Sequence, residues 1–166
     1  MPKFNTNKEV IRVNGRLHEV VQVKDTKGNL LHKIINPLRV EFKPKDVMQV
    51  ILGATILAIP VGFTEETWKL AAELPFLNVL LFMLISLSFI SSFVYYTAYR
   101  GRFKQHWKEF AKRVSATYLL SFAIVAVLLG LLQLTPWATN WTLAFKRVVL
   151  VSFPASLSGA IADTLK

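Results

Sequence analysis

The sequence predicts an all-α membrane protein, a four-helix transmembrane domain preceded by a small N-terminal β-meander. Three observations carry this. Four apolar runs, 47–63, 75–99, 114–134 and 148–165, contain a single formal charge, Asp163. Charge and apolar residues are segregated: hydrophobic residues make up 53% of the chain, yet its net charge is +10, because the 20 Lys and Arg sit outside the runs. The first 45 residues, by contrast, alternate β-branched with polar residues.

A helix rises ~1.5 Å per residue and the hydrocarbon core of a bilayer is ~30 Å thick, so roughly 20 residues cross it. The second and third runs cross comfortably and the first and last only just. In the N-terminal region, residues 8–13, 16–24 and 30–35 read as strands, with Asn14-Gly15 between the first two as a strong hairpin signal. Asn36-Pro37 ends the meander, and Val40-Glu41-Phe42 is expected to add a short fourth strand. A sheet this small is marginal alone, so it should pack on the membrane domain or on copies of itself. The expected organisation is a cytoplasmic β-rich cap over 1–45 and a transmembrane domain over 46–166.

Composition excludes several classes. The basic residues flank membrane runs instead of forming one soluble basic domain, which points to an anionic membrane surface and away from nucleic acid. The chain has no cysteine, and its three histidines, His18, His32 and His106, match no ligand spacing. No metal or other cofactor is predicted. Residues 1–10 lack an apolar core, so the first helix itself is expected to direct insertion.

Counting Lys and Arg in short loops orients the chain. Ten precede the first run and six lie in 100–113, whereas 64–74 has one against three glutamates; Lys146 and Arg147 count against the trend. The balance places both termini in the cytoplasm. Within 101–113, Phe103, Trp107 and Phe110 recur at helical spacing beside Lys104, Lys108 and Lys112. That is the pattern of an amphipathic helix in the headgroup layer, with the lysines on anionic lipid. Trp137 and Trp141 suit an aromatic belt, and Asn140-Trp141-Thr142 matches a short glycosylation pattern.

Chemistry, if any, must come from polar groups inside the helices. At about 100° per residue, Ser152, Ser156, Gly159 and Asp163 share a narrow arc of the last run. This seam suits either a tight helix contact or a water or ion path with Asp163 at its mouth. Ser88, Ser91, Ser92, Tyr95 and Tyr99 form a second polar face on the second run, expected to meet the first. Pro60 and Gly62 should break the first helix, after which Thr64 can cap a short helix opened by Glu65 and Glu66. Those two acids serve the helix dipole or form an acidic, cation-concentrating mouth.

Pro60 to Trp68, with its Phe-Thr-Glu-Glu-x-Trp core, and Phe153-Pro154-Ala155-Ser156-x-Ser158-Gly159-x-x-x-Asp163 resemble the two signature segments of a family of uncharacterised integral membrane proteins of archaea and cyanobacteria. The resemblance covers roughly 46–166. It implies a multi-pass location in a prokaryotic cell membrane and makes Pro60, Thr64, Trp68, Pro154 and Gly159, with Glu65, Ser156 and Asp163, the family-motif positions. It implies no activity.

From the residues, the leading expectation is a homo-oligomeric channel or carrier for a small cation or proton, with Glu65, Glu66 and Asp163 at the mouths of a path lined by hydroxyls. The alternative is a membrane-anchored assembly subunit without transport. No Ser-His-Asp, metal or paired-carboxylate constellation lies within the runs, so no enzyme is predicted.

Overall fold

The computed structural model describes residues 5–14, 16–25, 29–37, 41–101 and 103–165. The chain forms two compact units, Met1–Glu41 and Phe42–Lys166.

The first unit is a three-stranded antiparallel sheet in the order β1 (Asn5–Val13), β2 (Arg16–Lys24), β3 (Leu30–Pro37). Val13 pairs with Arg16, so Asn14-Gly15 is a two-residue hairpin connection. Asn14 takes a φ of 49°, the left-handed value such tight hairpin turns require and Asn tolerates; Gly15 lies outside the described residues. The second turn is closed by the Asp25 amide donating to the Asn29 carbonyl at 2.9 Å, and the β2–β3 register slips between Val23 and Lys24. Val20 is buried, whereas Leu30, Leu31, Ile34 and Ile35 stay exposed. Of the expected fourth strand, Val40 lies outside the described residues and Glu41-Phe42 is irregular. Glu41 instead pairs with Arg12 at 2.5 Å.

The second unit is helical: α1 (Pro44–Gly62), α2 (Glu65–Glu73), α3 (Phe76–Val94) running into a π-turn (Tyr95–Tyr99), α4 (Phe103–Leu131) and α5 (Trp141–Thr164). Four of these helices are long and apolar enough to cross a membrane. Pro44 occupies the first turn of α1, where its missing N–H is harmless, and the Asp46 carboxylate accepts from the Lys43 amide at 2.9 Å. α1 ends at Gly62 as expected, although Pro60 lies inside the helix and does not break it, and Thr64 does not cap α2 with its side chain. Its hydroxyl donates back to the Pro60 carbonyl at 3.1 Å.

α4 begins well before the expected third run. Within the expected interfacial helix over 101–113, Arg102 lies outside the described residues, the backbone breaks at His106 (φ −128°, ψ 28°), and Trp107 onward is continuous with the spanning helix. No proline or glycine interrupts it until Gly130. Its far end is a Schellman cap, with Gln133 left-handed, its amide on the Gly130 carbonyl and the Leu134 amide on Leu129. α5 also starts earlier than its apolar run, at an N-cap in which the Asn140 Oδ1 accepts from the Leu143 amide at 3.0 Å.

α5 is the centre of the bundle and packs on α1, α2, α3 and α4. Its span is 56% buried against 22% for α3. Val148 to Ser152 are buried in succession, as befits a helix apolar on every side. The dry core joins Ala54 and Ala58 of α1, Val125 and Leu129 of α4, and Val148, Val151 and Ala155 of α5. Small residues let α1 and α5 nearly touch: a Cβ on Gly53 would lie 2.6 Å from the Ala162 Cβ and 2.7 Å from the Ser158 carbonyl oxygen.

Candidate functional site

α4 carries Arg113, Thr117 and Ser121 at i, i+4 and i+8, a polar stripe in an otherwise apolar span, and all three are buried. The stripe faces the centre, where the last turn of α5 presents Asp163. Arg113 donates to the same Asp163 oxygen, Oδ2, from Nε at 2.7 Å and from Nη2 at 2.5 Å. The two side chains are 3% and 1% exposed. A lone carboxylate in an apolar helix demands a countercharge, and Arg113 supplies it. Asp163 is thus sealed inside the bundle, not open to water as a mouth. Arg113, read from the sequence as a loop cation, is a bundle residue.

Tyr99 completes the cluster. It is fully buried and hydrogen-bonded to the Arg113 side chain. The π-turn puts it there. The buried stripe of α3 runs through Val79, Ser86, Ile90 and Val94, and the next buried residue is five positions on, at Tyr99. An edge-to-face aromatic chain from Tyr95 through Phe103 and Phe110 to Tyr99, with centroids 5.1 to 5.7 Å apart, backs it.

From the ion pair, buried hydroxyls continue along α4 and α5. Ser121 donates to the Thr117 carbonyl at 2.8 Å, and its oxygen would lie 3.2 Å from a Cβ on Gly159. Ser156 and Ser86 share a hydrogen bond of 3.0 Å between α5 and α3. Ser152, Thr117 and Tyr118 have hydroxyls buried with no partner among the described residues. The predicted seam of Ser152, Ser156, Gly159 and Asp163 is therefore present and buried in full.

Of the predicted face on the second run, Tyr99 reaches the ion pair, whereas its serines do not meet the seam. Ser88 and Ser92 are exposed and Ser91 and Tyr95 half-buried. Ser88 satisfies itself on the Leu84 carbonyl at 2.9 Å. Ser88 and Ser92 lie about 160° from Ile90 on the helix, so once Ile90 packs inward they point out. Ser86, which is not on the predicted face, takes their place.

At the opposite end of the bundle, Glu65 and Glu66 are exposed, and Glu65 is 4.0 Å from Lys69. Carboxylates in the first turn suit the dipole of α2. The family-motif residue Trp68 lies under the Arg147 guanidinium, 5.3 Å from the ring centre, a cation–π contact. Arg147 also donates to the Leu134 carbonyl beyond α4, and Lys146 donates to the Leu74 carbonyl beyond α2 at 2.6 Å. These two cations hold helix C-termini, where positive charge is favoured. That explains their presence on an otherwise acidic side. Pro154 lies within α5, and Phe153 packs edge-on against Phe82 and Phe89. Lys104, Lys108 and Lys112 are exposed near the ion-pair end.

The sequence pattern of the family described as "Putative integral membrane protein (DUF2391)" matches residues 18–165. No curated protein and no solved structure matches the chain.

Proposed function

This chain belongs to the DUF2391 family, and on that premise we propose that it is a proton carrier of a prokaryotic cell membrane, not an enzyme. The observation behind this is the Arg113–Asp163 pair at the head of a file of buried hydroxyls on α3, α4 and α5. Ionisable groups inside spanning helices typically belong to ion pathways or proton relays. A hydrated metal cation needs an open pore, whereas a proton needs only donors and acceptors in sequence. The tight burial of Ser86, Thr117, Ser121, Ser152 and Ser156 therefore favours the proton among the small cations. Protonation of Asp163 would release Arg113, and the partnerless hydroxyls of Thr117, Tyr118 and Ser152 have capacity to pass a proton on. Glu65 and Glu66 would concentrate protons at the far mouth.

In this reading both termini are cytoplasmic, Lys104, Lys108 and Lys112 rest on anionic lipid, and the exposed apolar face of α3 serves contacts between copies in a homo-oligomer. Orientation is tested by introducing cysteines at Gln105 and Glu73, both exposed, into this Cys-free chain. A membrane-impermeant maleimide should reach them from opposite sides. Labelling of both from one side would overturn the topology.

Transport is tested in liposomes carrying a pH-sensitive dye. Thr117→Val and Ser152→Ala each remove a hydroxyl that makes no bond among the described residues, so folding should be unaffected. Proton flux should fall at least tenfold in either variant. Wild-type protein that inserts correctly and passes no protons under any gradient would sink this reading and leave the non-transporting assembly subunit in its place.

A further inference from the structure

The buried stripe of α3, Ile90 then Val94, would continue at Ala98 in an unbroken α-helix. The π-turn inserts one residue, so Tyr99 takes the buried position and Ala98 is left half-buried. Such single-turn π insertions recur at functional sites. Here the choice between registers decides what sits on Arg113, a large hydroxyl-bearing ring or a methyl group.

We propose that residues 95–99 are a register switch over the buried ion pair. In the π form Tyr99 is seated on Arg113 and keeps the Arg113–Asp163 pair dry. In the α form the residues beyond Val94 turn by about 100°, Tyr99 swings out, and Ala98 comes onto the stripe. The space vacated beside Arg113 admits water to the pair. As a gate this rests on the proton-carrier reading; as a two-state element it does not.

Three further observations fit. Gly101, two residues after the turn, has a φ of +81° and nothing within 4 Å of where a Cβ would stand, so the connection to α4 has room to absorb the change. Thr97 is exposed and its hydroxyl donates back to the Phe93 carbonyl of its own helix, at 2.8 Å, so its side chain faces away from the bundle at the middle of the turn. The rings of Tyr95 and Tyr96 pack edge to face at 5.4 Å with Tyr96 two-thirds exposed, leaving it free to move with the turn.

The test separates the registers by deletion. Removing Thr97 converts the π-turn to α while leaving Tyr99 four residues after Val94, on the buried stripe. The full chain is labelled with 3-fluorotyrosine in lipid nanodiscs, and Tyr99 is assigned by comparison with Tyr99→Phe. Wild-type protein should show two exchanging fluorine resonances for this residue, and the deletion variant only the buried one. Ala98→Leu, which makes the α register bury more apolar surface, should raise the withdrawn resonance several-fold. In liposomes the deletion variant should fall to background proton flux. A single wild-type resonance that neither change alters would overturn the switch. Should wild-type protein carry no protons, the transport reading fails by itself, and the exchange between resonances still decides this one.

Discussion

Arg113→Leu should destabilise the helical unit by about 3–5 kcal/mol, the largest effect of any single substitution in the bundle. Removing one partner of a buried pair leaves the other charge stranded in a low-dielectric interior, and the loss is that stranded charge and not the modest net worth of the pair. Asp163, at 1% exposure, is withdrawn from water. The double variant Arg113→Leu/Asp163→Leu makes the interpretation sharp, since replacing a whole buried pair by apolar groups is commonly neutral or stabilising. Unfolding in mixed detergent should therefore show a large loss for Arg113→Leu and recovery of most of it in the double variant. Proton flux should not recover with it. A single variant as stable as wild type would mean that Asp163 is neutral in the resting protein.

That double variant also separates the two roles a buried pair can have. If the pair only fixes the packing of α4 on α5, the leucine pair restores everything that can be measured. If it heads a proton path, stability returns and transport does not.

The ion pair was only half legible in the sequence. Asp163 stood out as the one charge in four apolar runs, but Arg113 borders its run and was read with the loop cations that orient the chain. The signal was there in the spacing of Arg113, Thr117 and Ser121, a polar stripe at a helix repeat. The same kind of boundary hid the starts of α4 and α5. Lys146 and Arg147 interrupt an apolar run, so α5 was expected to begin after them. They are compatible with the helix because the Leu74 and Leu134 carbonyls accept hydrogen bonds from them, and those carbonyls lie outside α5, at the ends of α2 and α4. On α3 the abundance of serines pointed to the wrong face. Inward direction was decided by Val79, Ile90 and Val94, and by a π-turn whose single extra residue leaves no mark in composition. What sequence did convey well was local: the Asn-Gly hairpin, the stop at Gly62, and the small-residue arc of α5.

Gly53→Ala should cost about 1–3 kcal/mol, the range for forcing extra volume into a packed core, although Ala is ordinarily the better helix former. The new methyl would stand 2.6 Å from the Ala162 Cβ, 2.7 Å from the Ser158 carbonyl oxygen and 3.0 Å from the Gly159 Cα. Two of these are backbone atoms of α5 and none is the tip of a flexible side chain, so relief requires the helices to separate. Separation in turn loosens the contact that places Gly159 against Val50 and Ser121, where even a Cβ would stand only 3.2 Å from either. Gly130→Ala is the internal control. It lies in the last turn of α4, where an added Cβ would have its nearest neighbours 3.9 Å away, so the substitution should gain about 0.5–1 kcal/mol from helix propensity alone. Thermal unfolding of the two variants side by side should move the midpoint in opposite directions. If Gly53→Ala were as stable as Gly130→Ala, α1 and α5 would have to stand further apart than this contact requires, and the hydroxyl file beside them would be open to water.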